Sequence, residues 1–170
     1  MTKKILLKAK SSKLKAKAGF TLIELLVVIA IIGILSSVAL VGLNTARRQG
    51  RDTRRIADLR QVQTALELYL QQNPTYPKGV TAWSGTTGTT LKTILSSFGT
   101  IPDDPLCPGG TCNSGWANSN YTYACDSTCT NYVLRARLET NHSVLANDVD
   151  GTVYNVACDD ASNYYCIKMQ

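Results

Sequence analysis

Gly19-Phe20-Thr21-Leu22-Ile23-Glu24 opens an apolar run, Leu25-Leu26-Val27-Val28-Ile29-Ala30-Ile31-Ile32-Gly33-Ile34-Leu35, which continues to Leu43 without a charge. From Phe20 to Leu43 the only ionisable side chain is Glu24. About 24 residues at ~1.5 Å rise each cross the hydrocarbon core of a bilayer as a helix. A carboxylate in such a helix costs several kcal/mol unless it is neutralised. Ahead of the run stand Lys3, Lys4, Lys8, Lys10, Lys13, Lys15 and Lys17, with no acid among them. Clustered lysines hold that end in the cytoplasm.

The helix is expected to continue past the membrane. Asn44 to Gln72 is rich in Ala, Arg, Gln and Leu and lacks Pro. Ile56, Leu59, Val62, Leu66, Tyr69 and Leu70 recur every three or four positions, which makes one apolar face. Arg51, Arg55, Asp58 and Gln61 occupy the opposite face. Asn73-Pro74 ends the run, because the residue before proline is pushed out of helical conformation. The product is one helix of some 50 residues, apolar all round and then amphipathic. Arg47, Arg48, Arg51, Arg54, Arg55 and Arg60 cluster just beyond the span. They read as a solvated or headgroup-facing collar with Asp52 and Asp58 pairing locally. Charge pairing between subunits is a second reading. DNA capture through phosphates is a third, without interleaved aromatics to support it.

Downstream the chain changes character. Residues 74–120 are loop-rich, with Trp83 as an anchor, a short helix over 91–98 stopped by Gly99, and a turn at Pro102-Asp103-Asp104-Pro105. Strands are expected at 121–125, at 131–138, at 143–146 and near 152–154 and 164–167. In the second of these Tyr132, Leu134, Ala136 and Leu138 face one side and Arg135 and Arg137 the other. The expected fold is α+β: one long helix laid on a small antiparallel sheet that has one wet face. All six cysteines lie in the last third of the chain, at Cys107, Cys112, Cys125, Cys129, Cys158 and Cys166. An even number beyond the membrane implies disulfides. Of about 15 connectivities, the sequence-local set Cys107–Cys112, Cys125–Cys129 and Cys158–Cys166 is favoured, each pair spanning a short polar loop. Zinc is the rival reading, since Cys125-x-x-x-Cys129 has tolerable ligand spacing, but no C-x-x-C appears beside it and His142 is the only histidine.

The block Gly19 to Glu24 before an apolar helix resembles the class III signal of type IV prepilins and type II secretion pseudopilins. The turn Asn73-Pro74-Thr75-Tyr76-Pro77 is similar to that family's helix-ending Tyr-Pro turn. Pro102 to Pro105 resembles the Pro-x-Asp-Pro turn before the sheet in G-type pseudopilins. The resemblance implies a pilin fold, cleavage after Gly19 by a prepilin peptidase, and N-methylation of Phe20. It implies that Glu24 pairs with the new Phe20 amine of an adjacent subunit during assembly, and that the helix melts locally between Gly33 and Gly42 in the filament. An ordinary secretory signal is cut after its apolar core; a cut at Gly19 retains that core. It also removes the basicity. The chain has 170 residues and a net charge of +6, but without the seven leader lysines 11 Lys and Arg face 12 Asp and Glu, or −1.

Asn147-Asp148-Val149-Asp150-Gly151 is not an EF-hand, since alanines fall at both end positions of the loop. Asp148, Asp150, Asp159 and Asp160 converge if a Cys158–Cys166 bridge closes the C-terminal loop. The resemblance implies calcium there; the plain alternative is an Asp-Gly turn with solvated acids. No catalytic constellation emerges, and no cofactor other than calcium is expected.

The domains expected are a cleaved leader (1–19), a transmembrane and assembly half-helix (20–43), an amphipathic half-helix (44–73) and a head (74–170). The function expected is a structural subunit of a type IV pilus-like filament. Alternatives are a type II secretion pseudopilin and a filament-tip module binding DNA or a surface ligand. Implied partners are further copies of the chain, the prepilin peptidase, an inner-membrane platform with its ATPase motor, and membrane lipid before assembly. The implied location is a single-pass membrane protein with its head outside the cytoplasm, then a surface pilus or periplasmic pseudopilus.

Overall fold

A computed structural model describes residues 19–85, 88–112 and 121–169, with side chains at 38–41 left aside. The leader at 1–18 and parts of the loops at 86–87 and 113–120 lie outside the described residues. The chain divides into two units between Val41 and Gly42, and each is described by itself.

The first unit is the apolar half of helix α1, Leu22–Gln72. Its backbone is helical through Gly33 and Gly42. Among the described residues of this unit, no side chain buries this half. Its large apolar side chains from Phe20 to Leu35 are between 48% and 86% exposed.

The second unit is built on the amphipathic half of α1. Leu59, Val62, Ala65 and Leu66 are buried, with Ile56, Tyr69 and Leu70 packed beside them. Each wholly buried leucine contributes about 1.5–3 kcal/mol. Asn73 closes the helix by donating its Nδ2 to the Tyr69 carbonyl at 2.9 Å. Helix α2 (Leu91–Ile94) then runs into a 3-10 turn, Leu95–Ser97, and Leu91 and Leu95 are its buried anchors. Trp83 is buried and donates its indole N–H to the Pro102 carbonyl.

The main sheet has the order β1-β2-β5, with β1 at Thr122–Cys125, β2 at Tyr132–Arg137 and β5 at Tyr164–Lys168. Both pairings are antiparallel, and Leu134 stands opposite Tyr123 on one side and Ile167 on the other. Tyr123, Tyr132, Leu134, Ala136 and Tyr165 join the helix residues in one core. The expected alternation of β2 therefore holds on its inner side.

Its outer side is not simply wet. Strands β3 (Gly151–Val153) and β4 (Val156–Cys158) form a separate hairpin instead of extending the sheet edge. That hairpin covers Val133 and Cys166 with Val156 and Cys158, a second small core. Tyr154 and Asn155 turn it, both in left-handed conformation as a two-residue hairpin requires. The strand expected at 143–146 is a 3-10 helix, Ser143–Asn147. The His142 side chain caps it by accepting from the Val144 amide, and Leu145 alone is buried, so no two-residue alternation exists to favour a strand. The disulfides join Cys107 to Cys112, Cys125 to Cys129 and Cys158 to Cys166.

Candidate functional site

Glu24 sits in the first turn of α1, three residues beyond Thr21. Its Oε2 accepts from the Thr21 amide at 2.9 Å and from the Thr21 hydroxyl at 2.7 Å. In return Thr21 Oγ1 accepts from the Glu24 amide at 3.3 Å. This is a reciprocal capping box, which satisfies donors that a helix start leaves open. The signal for it stands in the sequence as Thr-x-x-Glu, although a carboxylate in an apolar run reads first as a charge without a partner. Gly19 and Phe20 precede the cap, outside the helix and exposed. The segment thus presents a reachable Gly–Phe bond, a self-capped helix start and an apolar surface without cover.

The arginine cluster does not form a uniform collar. Arg47, Arg48, Arg54 and Arg60 are exposed. Arg55 is wholly buried. Its Nε and Nη2 fork onto Asp104 at 2.6 and 3.1 Å, and its Nη1 donates to Asp52 and to Glu139, both at 2.8 Å. Arg51 forks onto the same Glu139 at 2.6 Å through both nitrogens. Asp52 also accepts the amides of Glu139 and Thr140 and the Thr140 hydroxyl. Asp104 accepts the Leu106 amide. The cluster ties three segments together: the helix, the Pro102–Pro105 turn and the chain leaving β2. Burial alone would raise the Glu139 carboxyl, but hydrogen bonds from Arg51 and Arg55 outweigh it and hold it below its ordinary value.

Asp58, expected on the wet face, is also buried. It accepts the Tyr121 hydroxyl at 2.7 Å and lies 3.7 Å from exposed Arg54. Burial pushes its pKa up against the hydroxyl that donates to it. Helix periodicity located the apolar stripe but not this polar flank, because a spacing rule cannot say which loop will arrive with complementary charge.

Of the four C-terminal acids, Asp148, Asp150 and Asp160 converge, with carboxylate oxygens within 4.8 Å of one another. Asp159 does not join them. It caps the 3-10 turn Asp160–Ser162 by accepting the Ser162 amide at 3.0 Å. Gly151, at φ +85, makes the turn that sets Asp150 beside the others. Asp148 Oδ2 accepts the Cys166 amide at 2.7 Å, next to the Cys158–Cys166 bridge. Its Oδ1 is buried with no partner among the described residues. Burial, then the charges of Asp160 and Asp150, push the Asp148 carboxyl up to about 6. The donor set is all carboxylate oxygen, which suits a hard cation such as calcium.

The prokaryotic N-terminal methylation motif matches residues 14–40. The chain is also similar to the type II secretion system core protein G of Vibrio cholerae serotype O1, with 32% identity over 65 residues, which is 38% of this chain and 44% of that protein. The same protein of Aeromonas hydrophila is 33% identical over 63 residues, 37% of this chain and 44% of that one. The chain thus spans less than half the length of the curated relatives it matches. No solved structure matches it significantly.

Proposed function

We propose that the protein is a structural subunit of a pilin-type filament, processed after Gly19, methylated on Phe20 and assembled through the apolar half of α1. The observation that carries this is the uncovered helix surface from Phe20 to Leu35, opened by a single capped carboxylate and falling within the methylation motif. Exposed apolar area on that scale needs lipid or other helices around it. Lipid covers it in the membrane, and neighbouring copies cover it in a filament. Cleavage creates an amine at Phe20, cationic at neutral pH. Glu24 then exchanges the Thr21 donors for the amine of the next copy, and this exchange sets the stagger between copies. The protein acts by assembling, without a reaction of its own. A prepilin peptidase, a membrane platform and an ATP-driven motor supply the chemistry and energy.

Between a surface pilus and a secretion pseudopilus, the two relatives named as type II secretion core protein G favour the pseudopilus. The DNA-binding reading weakens, because the buried cluster takes Arg51 and Arg55 away from any phosphate-binding surface. Asp148, Asp150 and Asp160 are the residues that would hold a calcium ion, which would neutralise their mutual repulsion and brace the C-terminal loop.

Intact mass of the mature protein tests the processing. The expected value is that of Phe20 to Gln170 plus one methyl, less the hydrogens of three disulfides. Glu24→Ala tests assembly: membrane insertion and cleavage should persist while filaments vanish. Filaments of normal yield from that variant would overturn the role given to Glu24. Loss of exported proteins, with no surface fibres, on deletion of the gene would identify the pseudopilus.

A further inference from the structure

Asn141-His142-Ser143 is an Asn-x-Ser triplet without proline at its centre, the acceptor pattern for an asparagine-linked glycan. It lies in the turn between β2 and the 3-10 helix Ser143–Asn147. Asn141 and Ser143 are exposed, and neither side chain has a hydrogen-bond partner among the described residues. Other asparagines differ. Asn73 is bonded to the Tyr69 carbonyl and Asn131 to Asp126, and neither opens such a triplet that lacks proline. A second triplet, Asn120-Tyr121-Thr122, begins outside the described residues, and its Tyr121 is buried.

Both flanks of the Asn141 turn are pinned. Upstream, Asp52 holds the Glu139 and Thr140 amides. Downstream, the Leu145 amide donates to the His142 carbonyl and the Leu145 side chain is buried. Between these anchors Asn141 and Ser143 point to solvent with nothing to hold. A large substituent on Asn141 Nδ2 therefore displaces no native contact.

We infer that Asn141 is a glycosylation site. The donor class is an oligosaccharide carried on a lipid pyrophosphate at the outer membrane face. Asn141 Nδ2 forms a bond to the anomeric carbon of the sugar, the carbon–oxygen bond to the pyrophosphate breaks, and the amide loses one proton. The inference rests on the head lying outside the cytoplasm, as the proposed function has it.

One tryptic peptide tests both ideas separately. The full-length protein is purified from its own host and digested without reduction, which yields Leu138–Lys168. This peptide carries Asn141 together with the Cys158–Cys166 bridge. The bridge reports that the head reached an oxidising compartment; the mass at Asn141 reports the glycan. The expected result is an oxidised peptide bearing a sugar mass, lost in Asn141→Gln and in Ser143→Ala and retained in Ser143→Thr. An oxidised peptide with unmodified Asn141, or a sugar found at Asn120 instead, overturns the inference. A peptide with free thiols would count against the outward location itself.

Discussion

Arg55 donates its Nε to Asp104 Oδ2 at 2.6 Å, and both side chains are excluded from water. The two residues come from elements 49 positions apart, the helix and the Pro102–Pro105 turn. Burial works against the Arg55 charge, yet the hydrogen bonds it donates to Asp104 and Glu139 outweigh it and push its pKa up. The pair and its neighbours fix how the turn and the end of β2 sit on the amphipathic half of α1.

Removing Arg55 leaves carboxylates buried without their cation. Arg55→Met should destabilise the head by about 3–5 kcal/mol, since breaking a buried pair costs far more than the pair contributes. In the detergent-solubilised full chain this reads as a Tm roughly 10–20 °C lower. Arg55→Lys keeps the charge but loses the fork and should fall between the two. An unchanged Tm for Arg55→Met would show that the cluster is not what holds the three segments.

Tyr121→Phe removes the hydroxyl that donates to buried Asp58 at 2.7 Å. An acceptor left without its donor costs about 1–3 kcal/mol. Asp58 is raised by burial in the folded state, so its ionisation already works against folding above the carboxylate range, and losing the hydroxyl sharpens that. The penalty should be larger at pH 7 than at pH 4, where Asp58 takes up a proton. Urea titrations at the two pH values measure the difference.

Asp148 carries the opposite lesson for a cation. Its carboxyl is raised to about 6 in the folded protein, against about 3.9 in an unfolded chain. A raised acid contributes stability that is fully present below about pH 4 and lost as the pH climbs through 6. The metal-free protein should therefore melt at a lower temperature at pH 7 than its other groups require, and added calcium should reverse this at pH 7 but not at pH 4. Asp148→Asn should abolish both the calcium response and this part of the pH dependence. A calcium response that survives in Asp148→Asn would place the ion elsewhere.

The Cys158–Cys166 bridge spans eight positions in sequence. Loop-closure entropy for a ring of that size is worth about 2–3 kcal/mol. Replacing both cysteines by serine should cost roughly that much stability. It should also weaken calcium binding, because the bridge anchors the strand whose residue 166 amide holds Asp148 in place. Calorimetric titration of the double variant separates the second effect from the first.

Much of this was legible in the sequence, and the reasons are local. The uncharged, mostly apolar run from Leu25 to Leu43 announces a long helix, and the stripe from Ile56 to Leu70 announces the face that takes the sheet. The alternation of Tyr132, Leu134, Ala136 and Leu138 announces an inner strand. What was not legible depends on distant arrivals. Arg55 reads as a surface residue until Asp104 and Glu139 reach it. Val133 reads as outward until the β3–β4 hairpin covers it. Ser143 to Ala146 carries enough β-branched and apolar character to read as a strand, whereas the His142 cap and a single buried leucine make a 3-10 turn. Thr21 and Glu24 were readable as a capping box, but the functional weight of the acid hid the local one.

The Thr21–Glu24 cap also has a meaning in volts. In the proposed orientation the leader lysines lie on the negative side of the membrane potential. Each charge drawn outward against 100 mV costs about 2.3 kcal/mol, so seven would resist by roughly 16 kcal/mol. A chain cut after Gly19 has one cation at that end, its own amine, with a carboxylate one helical turn away already folded back toward it. That end is then close to neutral, and the field no longer opposes its withdrawal. Proteolysis at a single bond would change the helix from an anchor that the potential locks in place to one that a motor can extract.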